Sequence, residues 1–192
     1  MLTRAEQAEK TKKDLIDACL HVMKKSDFNI VKVNDIAKQA KVAVGTFYYY
    51  YKDKETIMQE VLDLYEQQLI PVIEKLKEEC SQEKIRKYFL EIGRITEEKF
   101  GLNVATNIYR CQLTMKVNYF SSNNSIIYGH IFEMLEELQR DKHIGMNRSL
   151  DDISNDLVSI VRGTIYSWCL MKGSFSLTEK IQRITNSYLA CL

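Results

Sequence analysis

Proline occurs once in this sequence of 192 residues, at Pro71, and glycine occurs seven times. Proline breaks helices because it lacks a backbone N–H and its ring clashes with the preceding turn, and glycine weakens them. A chain with so few of both residues can form long helices, and no segment of useful length alternates like a strand. The sequence therefore predicts an all-α fold, with enough residues to bury an apolar core.

Apolar residues recur at helical spacing along most of the chain. Thr3 and Glu6 have the spacing of a capping box, so a first helix is expected to begin there and to run to about Lys25. A long helix from Lys54 to about residue 79 should be bent or split by Pro71. The other predicted helices cover residues 33–40, 44–51, 83–100, 104–119, 126–142 and 151–172, with a last helix capped by Ser176.

The charges are distributed unevenly although the formal net charge is only +1. Residues 1–54 contain 11 Lys or Arg and 7 Asp or Glu, whereas residues 55–192 contain 16 and 19. A basic N-terminal quarter suits phosphate groups, and the acidic remainder does not. We therefore expect two domains, with a boundary between residues 54 and 55.

Several classes of protein are disfavoured by what the sequence lacks. No apolar run approaches the roughly 18 residues of a membrane span, and the polar N-terminus is unlike a secretory signal. The five cysteines are far apart and form no C-x-x-C pair, which suits the reducing cytoplasm. There is no glycine-rich phosphate loop, nucleophile elbow or H-E-x-x-H motif. We expect a cytoplasmic protein that is not an enzyme and needs no metal or cofactor.

Residues 33–51 have the pattern of a helix-turn-helix, in which two short helices are separated by residues 41–43. In this motif the first helix braces the second, which enters the DNA major groove. Small residues at positions 37 and 40 allow the two helices to cross closely. The predicted buried residues are Ile36, Ala37, Ala40, Val42 and Phe47.

Four consecutive tyrosines, Tyr48 to Tyr51, stand in the second of these helices. Four consecutive helical residues point around the whole circumference, so at most two of them can face inward. Tyr51, four residues after Phe47, is the best inward candidate. The other tyrosines must meet solvent or a partner, and their hydroxyls and rings suit phosphates and thymine methyl groups.

The segment VNDIAKQAKVAVGTFYYYYKDK, residues 33–54, followed by ETIMQEVL, resembles the DNA-binding signature of the TetR family of bacterial transcriptional regulators. The resemblance covers roughly residues 10–60 without a gap. It implies that Thr46, Tyr48, Tyr50 and Lys54 bind phosphates and that Val44, Gly45 and Tyr49 lie closest to base edges. With Lys32 and Lys41, which also lie beside the motif, these residues form the candidate DNA-binding set.

Three residues depart from the family pattern. Lys41 replaces the usual turn glycine, which costs of order 1 kcal/mol if that position has a positive φ. Ala43 replaces the Ser or Thr that usually caps the second helix of the helix-turn-helix, so a cap worth about 1 kcal/mol is expected to be missing. Lys32 stands where Thr or Ser often caps the first helix of the same motif. These differences concern the details of phosphate contact rather than the fold.

The resemblance implies that residues 55–192 form a helical domain that binds a small-molecule effector and forms a homodimer. The expected dimer helices are residues 126–142 and 151–172. Arg162 is a candidate anchor for an anionic ligand, or equally a partner of Asp156, and Arg110 is a second candidate anchor. The candidate cavity residues, each of which can instead belong to the core, are Tyr109, Met115, Tyr119, Phe120, Arg162, Tyr166 and Trp168.

The sequence thus predicts a ligand-responsive, homodimeric DNA-binding regulator. We expect a repressor that a small molecule releases from a palindromic double-stranded operator. The alternative is a helical interaction or ligand-binding module that has lost DNA binding, which would have no reason to keep exposed tyrosines in a basic segment. Cys111 and Cys169 are candidates for redox sensing, although buried cysteines are usually inert.

Overall fold

A computed structural model describes residues 3–114, 125–142 and 148–192. Within these ranges the chain is helical and contains no strand, which confirms the predicted all-α class. None of the described helices is both long enough and apolar enough to cross a membrane. The α-helices are α1 (Arg4–Lys25), α2 (Val33–Gln39), α3 (Val44–Tyr50), α4 (Lys54–Gln67), α5 (Ile70–Lys75), α6 (Ser81–Arg94), α7 (Gly101–Thr114), α8 (Ile126–Arg140), α9 (Leu150–Leu170) and α10 (Leu177–Leu189).

Local sequence signals fix two of the helix ends as predicted. The Thr3 hydroxyl accepts a hydrogen bond from the Glu6 N–H, and the Glu6 carboxylate accepts one from the Thr3 N–H, so the capping box starts α1. The long helix predicted from Lys54 is split, because α4 ends at Gln67 and α5 begins with Pro71 in its first turn. Proline is tolerated there because the N–H groups of a first turn have no partner within the helix.

The helix predicted over residues 83–100 changes its hydrogen-bond register near its end. A π-helical segment, Ile95–Phe100, follows α6, and Gly101 then adopts a φ of 80°. Glu97 in this segment accepts hydrogen bonds from the backbone N–H groups of Leu177 and Thr178, which begin α10. Burial opposes the charged form of Glu97, but its bonds to Thr178 and Leu177 outweigh burial and lower its pKa. The π-helical segment thereby supplies the acidic cap of the last helix.

Helices α6 and α10 pack closely at a glycine. A Cβ atom at Gly93 would lie 2.8 Å from the Thr178 Cα, which is closer than carbon atoms tolerate. Ile85, Ile92 and Ile181 are buried on these helices. The small size of Gly93 therefore sets the distance between α6 and α10.

The helix-turn-helix is built on one aromatic core. Phe28, Phe47 and Tyr51 are almost completely buried together with Leu15 and Ile36. The rings of Phe47 and Tyr51 lie 5.6 Å apart between centroids. Aromatic side chains bury more apolar surface than aliphatic ones, so this cluster is the main support of α3.

Lys54 closes the turn between α1 and α2. Its ammonium donates hydrogen bonds to the carbonyl oxygens of Phe28, Asn29 and Val31, at 2.8, 2.9 and 3.2 Å. The same nitrogen lies 5.2 Å from the centroid of the Phe28 ring. An ammonium group has three donors, so these carbonyls use all of them.

Side chains of helix α7 form hydrogen bonds with the C-terminal end of α1 and with the turn after it. The buried Asn107 amide donates to the Met23 and Ser26 carbonyls, at 3.0 and 2.9 Å, and accepts from the Phe28 N–H at 2.9 Å. One turn earlier on the same face, Asn103 donates to the Lys24 carbonyl at 2.7 Å. One turn later, Arg110 pairs with Asp27. This row of polar side chains joins the N-terminal helices to the rest of the molecule.

We expect Gly93→Ala to lower the free energy of unfolding by about 1–3 kcal/mol, because the added methyl group must push α6 away from α10. Urea denaturation followed by circular dichroism measures this change. Gly45→Ala is the matched control, since its Cβ would meet nothing within 4 Å. A destabilisation of equal size in both variants would contradict the packing argument.

Lys54→Met should lower the free energy of unfolding by about 1–3 kcal/mol, because the half-buried contacts to the Phe28 and Val31 carbonyls and the exposed one to the Asn29 carbonyl lose a charged donor. The measurement is again urea denaturation, without DNA. Lys52→Met removes an exposed lysine two residues earlier and should change stability by no more than about 0.5 kcal/mol. Equal stability of the two variants would show that the ammonium does not support the turn.

Candidate DNA-binding surface and effector cavity

The backbone at Lys41, in the turn of the helix-turn-helix, has the positive φ that the sequence analysis considered for this position. Lys41 has a φ of 57°, in the left-handed region. Its N–H donates to the Lys38 carbonyl, and the Val42 N–H donates to the Ala37 carbonyl at 3.0 Å. This is the glycine-type ending of a helix, built here with a lysine at a cost of order 1 kcal/mol. The Lys41 side chain is exposed beside the second helix.

The two helices of the motif begin without side-chain caps from their first flanking residues. Ala43 precedes α3 and makes no side-chain hydrogen bond, as expected. The Lys32 side chain makes none at the start of α2 either. The Asp35 carboxylate instead accepts the Lys32 N–H at 2.9 Å, so α2 is capped from within its first turn.

The tyrosine run divides between the core and the surface. Tyr51 is buried as predicted, whereas the side chains of Tyr48 and Tyr49 are 55% and 79% exposed. Tyr50 is half-buried and packs against the core, and its ring meets that of Tyr49 edge to face, with centroids 5.0 Å apart. Of the other residues predicted on this face, Val44 and Gly45 are exposed and Thr46 is half-buried.

Two surface grooves flank the exposed face of α3. One lies between α3 and the start of α1, where Arg4 and Thr11 stand opposite Tyr49 and Tyr50. The other lies between α3 and the starts of α2 and α4, and Lys32, Tyr48 and Lys52 are among its lining residues. Helix α3 therefore has a groove on each side of its exposed face.

The phosphate role expected for the Lys54 side chain is corrected by the structure. Its three donors are occupied by the carbonyls of Phe28, Asn29 and Val31, so the ammonium is a structural group. Lys32 and Lys41 have exposed side chains on the same surface as α3. Lys52, which is not in the predicted DNA-binding set, is an exposed lysine in the groove beside Tyr48.

A cavity lies among the helices that follow the helix-turn-helix. It encloses about 660 Å³ of space that is free of protein atoms, counting its opening to solvent. Apolar side chains dominate its wall, and Tyr109 and Arg162 from the predicted set belong to it. The described lining residues are Leu62, Tyr65, Glu66, Thr96, Phe100, Ala105, Ile108, Tyr109, Ile127, Val158, Val161, Arg162 and Ile165.

The hydroxyl groups in the cavity wall are engaged with the protein. The Tyr65 and Thr96 hydroxyls share a hydrogen bond of 2.8 Å, and Thr96 also donates to the Ile92 carbonyl. The Tyr109 hydroxyl donates to the Arg162 carbonyl at 2.9 Å. Burial raises the pKa of Tyr65 to about 12, so the wall presents neutral phenols.

Glu66 is a buried carboxyl group in this wall that the sequence reasoning missed. Its side chain is 5% exposed, and its Oε2 accepts the Ile126 N–H at 3.0 Å. Its position offers a signal, because Leu62 and Leu69 stand four residues before it and three after it, and both are buried. An acidic residue within an inward-facing apolar stripe is the pattern to look for.

Other members of the predicted cavity set lie elsewhere. Trp168 is a core residue, and its Nε1–H donates to the Phe175 carbonyl at 3.0 Å. Tyr166 is 44% exposed on α9, so its side chain faces outward. Neither residue is part of the lining, because the face of α9 that meets the cavity carries residues 158, 161, 162 and 165. Met115, Tyr119 and Phe120 lie outside the described residues.

The two arginines singled out in the sequence differ in surroundings. Arg110 pairs with Asp27 near the end of α1, away from the cavity. Arg162 lines the cavity. The pairing of Arg162 with Asp156 is wrong, because Asp156 instead accepts hydrogen bonds from Arg148 and Tyr188, both at 2.7 Å.

The cysteines raised as redox candidates are in protected surroundings. Burial raises the pKa of the Cys111 thiol to about 11, and burial also raises that of Cys169. The reactive thiolate form is therefore disfavoured at both positions. Across residues 3–114, 125–142 and 148–192, no three or more His, Cys, Asp or Glu side chains are grouped in a way that could hold a metal ion.

The helix-turn-helix and its flanking helices match a known protein family. The family model described as "Bacterial regulatory proteins, tetR family" matches residues 15–61, which run from the middle of α1 into α4. The fatty acid metabolism regulator protein of Bacillus subtilis (strain 168) is 34% identical over 73 residues. That match spans 38% of this chain and only about a third of the relative, 36% of its length.

Solved structures share the fold over nearly the whole chain. A TetR-family transcriptional regulator from Syntrophomonas wolfei has a TM-score of 0.73 at 15% identity and covers 95% of this chain and 96% of its own. The Thermus thermophilus FadR repressor, crystallised with lauroyl-CoA, has a TM-score of 0.69 at 19% identity over 90% of each chain. At these identities the likeness concerns the fold. Residues 15–61 thus match the TetR family of bacterial regulatory proteins, and the chain as a whole shares the fold of these solved regulators.

Proposed function

We propose that this protein is a ligand-responsive, sequence-specific DNA-binding transcriptional regulator that represses until a small molecule releases it from its operator. The observation that carries the proposal is the exposed tyrosine face of α3, with Tyr49 79% exposed and a groove on each side. A protruding helix between two grooves suits a major groove with its two phosphate backbones. Such a role places the protein in the cytoplasm, with residues 1–54 as the DNA-binding domain and residues 55–192 as the effector and dimerisation domain.

The contacts are assigned by position on α3 and around it. Val44, Gly45 and Tyr49 stand closest to base edges, because they lie on the exposed face of α3. Phosphates on the two sides are assigned to the side chains that border the grooves or stand next to them. The proposed phosphate contacts are Lys32, Lys41, Thr46, Tyr48, Tyr50 and Lys52.

A homodimer through α8 and α9 is part of the proposal. The exposed face of α9 carries Ser159, Gly163, Tyr166 and Leu170 at helical spacing, and Leu170 is 63% exposed. Small residues allow a second helix to approach closely, and Tyr166 and Leu170 supply apolar surface to bury. Two recognition helices would read a two-fold symmetric operator, which multiplies specificity.

The switch is proposed to act through α4 and α7. Helix α7 lines the cavity with Ala105, Ile108 and Tyr109, while Asn103 and Asn107 on its other face hold the end of α1. Helix α4 also lines the cavity and begins directly after the helix-turn-helix. A ligand that favours another packing of these helices would change the separation of the recognition helices, with a coupling of typically 1–3 kcal/mol.

Selection of the purified protein on random duplex DNA should enrich a two-fold symmetric site. Tyr49→Ala should weaken binding to that site about 10-fold or more, because a base-contacting aromatic group is lost. Ile70→Ala removes a similarly exposed apolar side chain from α5 and should leave the affinity unchanged. Recovery of no enriched site would instead favour a module that no longer binds DNA, and an asymmetric site would contradict the dimer.

A ligand in the cavity should lower operator affinity by about 5-fold or more. Lauroyl-CoA is the first probe, since it occupies the Thermus thermophilus structural neighbour. Ala105→Leu should abolish the response and keep DNA binding, because the larger side chain fills cavity space. Fluorescence anisotropy of labelled operator measures both effects, and Ala190→Leu at the exposed end of α10 is the control. A response that survives in Ala105→Leu would place the ligand outside this cavity.

A further inference from the structure

One carboxyl oxygen of Glu66, in the wall of the cavity, accepts no hydrogen bond from the residues that the structure describes. Its side chain is 95% buried, and it belongs to the cavity wall. Among the described residues its one hydrogen bond is from the Ile126 N–H to Oε2, at 3.0 Å. Because Oε2 is directed at Ile126, Oε1 is the oxygen left for whatever enters the cavity.

Glu66 Oε1 is not one of the fully buried oxygens that lack a partner, so a molecule in the cavity can reach it. A carboxyl oxygen in mainly apolar surroundings is costly unless water or a ligand satisfies it. Part of the cost is offset by α8, because Ile126 is its first residue and the positive end of the helix dipole lies there. Apart from Glu66, the described wall consists mainly of apolar side chains, with Arg162 as its one cationic residue. The nearby hydroxyls of Tyr65 and Tyr109 are already bonded to Thr96 and to the Arg162 carbonyl.

We propose that Glu66 selects the effector by accepting a hydrogen bond from a hydroxyl or N–H group carried on an otherwise apolar molecule. The inference rests on the proposed function, since it takes the cavity to be the effector site. Contacts with the apolar wall contribute affinity but do not fix the orientation of the ligand, whereas a hydrogen bond to Glu66 does. A ligand that offers only acceptors at this point leaves Oε1 unsatisfied.

A ligand bound to Glu66 would lie where α4 and α8 meet. Glu66 lies on α4, whose first residue follows the helix-turn-helix, and its partner Ile126 starts α8, a proposed dimer helix. A donor that binds Oε1 competes with the Ile126 N–H for the position of the carboxyl group that links these two helices. The side chain that recognises the ligand can therefore also change the position of α4.

The test uses a pair of constitutional isomers, undecan-1-ol and 1-methoxydecane, which differ in that only the alcohol donates a hydrogen bond. Their affinities for the full-length protein are measured by isothermal titration calorimetry below their solubility limits. We expect the alcohol to bind about 10-fold more tightly, because the ether leaves the Oε1 acceptor without a hydrogen bond.

Glu66→Gln should remove this discrimination, giving an affinity ratio near one. The amide must direct its oxygen at the Ile126 N–H, so its NH₂ group turns towards the cavity and is satisfied by either isomer, since both accept. Glu74→Gln makes the same chemical change at an exposed position of α5 and should keep the wild-type ratio. Circular dichroism establishes that each variant is folded.

Equal affinities of the wild-type protein for the two isomers would overturn the proposal, as would binding of neither isomer. A preference for the alcohol that persists in folded Glu66→Gln would overturn it too. If Glu66→Gln does not fold, the wild-type ratio still decides. Failure of the inference is distinct from failure of the proposed function, because the selection on duplex DNA tests the latter without any ligand.

Discussion

The molecule depends on a single buried amide, that of Asn107. The end of α1 and the turn after it leave backbone groups of Met23, Ser26 and Phe28 without helical partners, and Asn107 satisfies all three from α7. Unsatisfied polar groups in this place would each cost of order 1–3 kcal/mol. The bonding of one side chain therefore helps to fix where the helix-turn-helix stands relative to the cavity. Lys54 completes the same turn from the opposite side.

The π-helical segment connects two further parts of the structure. Its residues Thr96 and Phe100 line the cavity, and Glu97 caps α10. An α-helix would place these three side chains about 100° apart per residue, whereas the wider π turn redistributes them. One π-helical segment thus anchors the last helix through the Glu97 side chain and lines the cavity with Thr96 and Phe100.

The sequence predicted what local chemistry decides. The Thr3–Glu6 cap, the split at Pro71 and the inward position of Tyr51 follow from rules that span a few residues, and all are confirmed. It could not predict that Lys54 binds carbonyls rather than phosphate, because its partners lie more than 20 residues away in the chain. The π turn also leaves no mark in the apolar pattern.

The lining of the cavity was likewise predicted only in part from the sequence. Tyr109 and Arg162 lie in its wall, but Tyr166 and Trp168 from the same apolar helix do not. The face of α9 that meets the cavity is set by packing against α7 and α8, which the periodicity of α9 alone does not define. Glu66 was overlooked because a charged residue is ordinarily assigned to the surface.

The two faces of α7 have a consequence for how such proteins diverge. The residues that hold α1 are 103, 107 and 110, the residues that line the cavity are 105, 108 and 109, and the two sets share no member. Substitutions at residues 105, 108 and 109 can therefore change the shape and chemistry of the cavity while the contacts of α7 with the end of α1 stay intact. The cavity of this fold can thus diversify without loss of the joint that positions the helix-turn-helix.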